Sequence, residues 1–116
     1  VSKIEQSYLA LRLHNREVKI YFLIACLSFS AGAAVPGADT YVSKCQMCHS
    51  ADGSGSSPAG KAMKAIPFTS PVLVKASDAE LIASTTNGKG KMPAFSGKLT
   101  AAQIKDVIGY IRTLQK

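Results

Sequence analysis

Cys45-Gln46-Met47-Cys48-His49 sets two thiols three positions apart with an imidazole directly behind them. Residues three apart on a helical turn share a face, so both sulfurs are presented to the same object. Three chemistries use such a pair. A redox dithiol of thioredoxin type follows a strand in a βαβ pattern, and no strand-like alternation leads into Cys45. A tetrahedral zinc site needs a further ligand pair, and His49 is the only histidine after residue 33. The third is the C-x-x-C-H attachment signature of c-type haem. There each thiol forms a thioether with a vinyl group of the ring, and the adjacent imidazole becomes the proximal iron ligand. The motif favours this third chemistry.

The remaining axial position decides between electron transfer and catalysis at the iron. Asn87-Gly88-Lys89-Gly90-Lys91-Met92-Pro93-Ala94-Phe95 is a Gly-rich stretch with a methionine locked before a proline, which confines Met92 to extended backbone. Met92 is the expected distal ligand. Its thioether is a soft, neutral donor that favours reduced iron, raises the potential and fills the coordination sphere. Met63 reads as core packing, and Met47 sits inside the attachment motif on the proximal side. A methionine that leaves readily would suit a haem enzyme or a gas-sensing module instead, and Gly88 with Gly90 permits such mobility.

The elements that position these residues are helical. Ser77-Asp78-Ala79-Glu80 is a capping box that predicts a helix from Asp78 to Thr86, closed by Asn87-Gly88. Thr100-Ala101-Ala102-Gln103 opens another, along which Ile104, Val107, Ile108, Ile111 and Leu114 form one apolar stripe. Upstream, Pro36 suits a first helical position, and Gly37, Tyr41 and Cys45 follow at intervals of four on one face. Ser50 to Pro58 and Pro67 to Pro71 read as loops. No strand signal appears, so the fold class is all-α.

Residues 1–19 carry Lys3, Arg12, Arg16 and Lys19 and run into the apolar stretch Ile20 to Phe29, followed by Ser30-Ala31-Gly32-Ala33. Ala31 and Ala33 have the spacing a signal peptidase reads, which predicts a secretory segment over 1–33, cleaved after Ala33. Left uncleaved, it would serve as an anchor. Leu23-Ile24-Ala25-Cys26 resembles a lipobox, in which Cys26 would be lipidated. The domain proper is then 34–116, with Lys+Arg 10 against Asp+Glu 5. A domain that small usually needs a staple or an embedded cofactor. The whole chain carries a formal charge of +7 over 116 residues, yet its lysines are dispersed and not interleaved with aromatics, which argues against nucleic-acid binding.

From about Gly37 to the C-terminus the chain resembles the class I c-type cytochromes. Gly37 and Tyr41 ahead of Cys45 are similar to the family's N-terminal helix, and Val107 and Tyr110 match the partner positions on its C-terminal helix. The stretch Asn87 to Leu99 is similar to the methionine loop of cytochrome c6, the soluble carrier of algal and cyanobacterial photosynthesis. Ser84 stands where cytochrome c6 usually has Gln, and Lys98 where it has a functional Arg. Similar small cytochromes of heterotrophic bacteria feed terminal oxidases or reductases. The resemblance implies three to five short helices wrapped around one haem c, tethered through Cys45 and Cys48 and held axially by His49 and Met92. It further implies a proline carbonyl that holds the proximal imidazole, with Pro58 the counterpart.

Lys61, Lys64, Lys89, Lys91 and Lys98 lie in segments that border the haem in that fold, so they are expected to form a docking ring for redox partners with acidic surfaces. The function implied is that of a soluble, monomeric one-electron carrier and not an enzyme. It would work in the periplasm, or in the thylakoid lumen if photosynthetic. Membrane contact would come only through an uncleaved leader or a lipidated Cys26.

Overall fold

The computed structural model describes residues 3–8 and 32–116. These fall into two units, Val1–Ala33 and Ala34–Lys116. In the first, a short helix, α1, covers 3–8, with its described residues exposed. The apolar run Ile20 to Phe29, the lipobox Cys26 and Ala31 of the cleavage site lie outside the described residues.

The second unit is built of α2 (Ala38–Lys44), α3 (Gln46–His49), α4 (Pro58–Met63), α5 (Pro71–Lys75), α6 (Asp78–Asn87) and α7 (Ala101–Thr113). The bonds Cys45 N–H to Tyr41 O (2.8 Å) and His49 N–H to Cys45 O (2.9 Å) carry α2 into α3, so 38–49 is one helix bent at Cys45. With that pair taken together, the unit has five short helices. Among the described residues there is no strand, only isolated bridges at Lys89–Met92 and Ser96–Leu99.

Both expected capping boxes form. Ser77 accepts from the Glu80 N–H while the Glu80 carboxylate accepts from the Ser77 N–H, and Thr100 with Gln103 repeats the exchange. Pro36, however, does not open α2. Gly37 caps that helix in a left-handed conformation (φ 85°), and α2 begins at Ala38. Close approach explains the choice: a Cβ on Gly37 would strike the Asp106 carbonyl and the Val107 nitrogen. Pro58 and Pro71 likewise stand at the first helical positions of α4 and α5 instead of ending loops, where a missing N–H costs nothing.

The crossing of α2 over α7 makes the core. Tyr41 and Val107 are fully buried, Ile104, Ile108 and Ile111 of the predicted stripe are buried with them, and its last member, Leu114, caps the helix partly buried. The Tyr41 ring packs 5.2 Å from that of Tyr110 and 6.2 Å from that of Phe68, while its hydroxyl donates to the Ser50 carbonyl at 2.6 Å. That bond satisfies the one polar atom of a buried ring and ties α2 to the chain just after His49. Desolvation is the main reason its phenol is held well above the ordinary tyrosine range.

Candidate haem-binding site

The bend at Cys45 sets the geometry of the motif. Cys45 is buried, Cys48 half-buried, and both thiols are free. Burial, reinforced by the neighbouring Cys48, pushes the Cys45 thiol up to about 11. It therefore stays protonated at neutral pH and is a poor spontaneous nucleophile. A helix as short as α3 leaves its carbonyls without helical partners, and the following loop supplies them. The Ser57 hydroxyl donates to the Met47 carbonyl at 2.7 Å, with the Cys48 carbonyl at 3.2 Å, and Gly55 N–H donates to the His49 carbonyl at 2.9 Å. Ser57 also caps α4 by accepting from Gly60 N–H at 3.0 Å. One serine thus joins the motif to the next helix.

His49 lies on the same turn as both thiols. Its Nδ1 is buried and makes no hydrogen bond. Burial pulls its pKa below the usual histidine value, so the ring is held neutral with a lone pair to donate. The Pro58 carbonyl does not accept from this ring, contrary to expectation. As the first residue of α4, Pro58 directs its carbonyl along its own helix axis. The imidazole instead lies face to face with the Phe68 ring, 4.6 Å between centroids and 19° between planes. Reading 67–71 as a plain loop overlooked Phe68; the available signal was a large aromatic held between Pro67 and Pro71, where polar turn residues are usual.

Met92 sits on a separate loop. Lys89 and Met92 exchange both backbone bonds (3.2 and 3.0 Å), closing a tight turn, and Phe95 N–H and Ser96 N–H donate to the Thr85 and Thr86 carbonyls at 3.1 and 3.0 Å. Phe95 is buried beneath the loop. From the turn, Lys91 Nζ donates to the Ala62 carbonyl of α4 at 3.2 Å, and α4 packs on α3. Cys45, Cys48 and His49 are therefore brought together on one turn, and the half-buried Met92 is connected to them through α4.

All five candidate docking lysines, Lys61, Lys64, Lys89, Lys91 and Lys98, are exposed. Met63 is 41% exposed and so is not the core residue expected; with Ile66 it gives α4 and its exit an apolar surface. Two thiols on one turn, a neutral imidazole with Nδ1 turned inward and a nearby apolar surface fit a flat, covalently tethered iron porphyrin.

A family model described as cytochrome c oxidase, cbb3-type, subunit III matches residues 32–111. Cytochrome c6 of a Nostoc species is 37% identical over 81 residues, covering 70% of this chain and 70% of that protein. The cytochrome c subunit of the quinone alcohol dehydrogenase of Gluconacetobacter polyoxogenes is 37% identical over 93 residues and 70% of this chain; the chain spans only 19% of the length of that relative. Among solved structures, KustC0563 c-type cytochrome aligns with a TM-score of 0.64 and 27% identity, over 71% of this chain and 100% of that one. Fold and motif together define a cytochrome c domain. The chain belongs to the c-type cytochromes, as a monohaem member of class I with covalently bound haem c.

Proposed function

We propose that residues 34–116 work as a one-electron carrier in the periplasm, released as a monomer from a leader cleaved after Ala33. Haem, when bound, supplies a single one-electron couple. Cys45 and Cys48 would tether it from one turn of helix, and His49 would offer an imidazole nitrogen to its iron. Met92 would offer its thioether from a loop pinned by Phe95, Ser96 and Lys91, a soft donor that would suit electron transfer rather than substrate binding. No bond is made or broken, so the protein is not itself an enzyme. Lys61, Lys64, Lys89, Lys91 and Lys98 attract a partner with an acidic surface, in a small, salt-sensitive encounter.

The observation that carries this reading is the placement of a neutral imidazole, stacked on Phe68 with Nδ1 buried, on the turn that bears both thiols. Optical spectra of the haem-loaded protein, oxidised and reduced, test it. A weak long-wavelength band from an iron–methionine bond, with no carbon monoxide adduct, is the expected outcome. Absence of the band with ready carbon monoxide binding rejects Met92 as ligand and points to a haem enzyme or gas-sensing module. A second reading is favoured by the oxidase-subunit family model and the alcohol dehydrogenase cytochrome subunit: the domain belongs to a membrane assembly, held by an uncleaved leader or a lipidated Cys26. The mature N-terminus, mapped by mass spectrometry, separates the two.

A further inference from the structure

We infer that Phe68 is the positioning residue of the proximal ligand, its ring held against the His49 imidazole by a clasp that Arg112 and Gln115 build at the end of α7. The inference rests on His49 being an iron ligand. A metal-bound imidazole is usually oriented by a hydrogen bond from its other ring nitrogen to a carboxylate or carbonyl. His49 Nδ1 has no such bond. What the ring does have is one broad face contact, the near-parallel Phe68 ring at 4.6 Å. A face contact of that kind would fix the plane of the imidazole as long as the phenyl ring itself cannot move.

Phe68 is held from three directions. Its N–H donates to the Gly53 carbonyl at 2.9 Å, which ties it to the loop that follows the haem motif. Gly53 adopts φ +75°, and a Cβ there would come within 2.5 Å of Phe68 Cδ2, so the ring edge lies directly against glycine backbone. The Phe68 carbonyl accepts from Gln115 Nε2 at 3.2 Å.

Gln115 is oriented in turn. Its Oε1 accepts from Arg112 Nη1 at 2.9 Å, which assigns its amide nitrogen to Phe68. The guanidinium is itself fixed by Asp78 (Nε to Oδ1, 2.9 Å) and by the Leu73 and Ala76 carbonyls at the junction of α5 and α6. The end of the C-terminal helix therefore reaches the proximal imidazole through Arg112, Gln115 and Phe68 in sequence. A role limited to core packing would ask for burial of Phe68 but for neither the stacking angle nor the fixed amide.

Nuclear resonance of the oxidised, haem-loaded protein tests the inference, because the spread of the hyperfine-shifted haem methyl signals reports the plane of the axial imidazole. Phe68→Leu preserves an apolar side chain and removes the flat face; Gln115→Glu keeps the Arg112 contact and removes the N–H donor to Phe68. Both are expected to redistribute the methyl signals and shift the midpoint potential, Phe68→Leu more. Ile111→Val, in the same core, is the packing control: stability falls and the methyl pattern holds. If Phe68→Leu and Gln115→Glu leave the pattern and the potential as in wild type, the inference is wrong and Phe68 only fills space. Should Phe68→Leu not fold, Gln115→Glu decides alone. The ligand reading fails separately, in the wild-type protein, if the His49 ring protons are missing from the hyperfine-shifted set.

Discussion

Gly37→Ala tests whether α2 and α7 touch backbone to backbone. A Cβ at this position would collide with the Asp106 carbonyl and lie 2.6 Å from Val107 N, and the residue sits at φ +85°. Two costs add. Left-handed backbone costs a non-glycine residue about 1–2 kcal/mol. The clash is with main chain, which cannot swing aside as a side chain would, so the crossing must open at a cost of about 1–3 kcal/mol, as in overpacked cores. The total of about 2–5 kcal/mol is a large share of the roughly 5–15 kcal/mol that holds a domain folded. Gly109→Ala is the matched control, because it lies within α7 and a Cβ there meets nothing within 4 Å. That substitution is expected to stabilise by about 0.5–1 kcal/mol through helix propensity. Urea unfolding of the haem-loaded protein, followed by circular dichroism, reads both as midpoint shifts at constant slope. Opposite signs are expected. A Gly37→Ala protein as stable as wild type refutes the backbone contact; a Gly109→Ala protein destabilised to the same degree removes the helix crossing as the explanation.

Further outcomes follow from the termini and the lysines. The Ser77 N–H and hydroxyl hold the Glu80 carboxyl below the usual carboxylate range. Its contribution to stability is therefore present above the ordinary glutamate value and lost as pH falls through the lowered one. Glu80→Gln should flatten that part of the acid unfolding profile; an unchanged profile would show that the capping box carries no charge-dependent stability. Lys89→Glu should slow association with an acidic redox partner at low ionic strength, with the difference closing as salt is added; stopped-flow rates that match wild type across the salt range argue against the docking ring. Lys91→Leu removes the bond to the Ala62 carbonyl and should cause the iron–methionine band to disappear at a lower temperature than in wild type. A band equally resistant to heat would show that the loop is held by its Thr85 and Thr86 bonds alone.

How far the chain could be read depended on how far apart interacting residues lie. The haem motif, both capping boxes and the stripe of α7 were legible because each partner sits within four positions of the next, where helical geometry is known in advance. Pro36 misled because the start of α2 is dictated by Asp106 and Val107, far along the chain, whose approach admits only glycine at the cap. Met63 looked like a core residue by type, but the turn of α4 carries it to the outside, and only the packing of α4 on α3 fixes which way it faces. The proximal ligand shows the same division within a single residue. Its proposed role follows from its place beside Cys48, whereas its ring stacks on Phe68, whose carbonyl is held by a glutamine 47 residues further on. A substitution near the C-terminus is therefore expected to reach the proposed iron ligand while leaving every residue of the haem motif untouched.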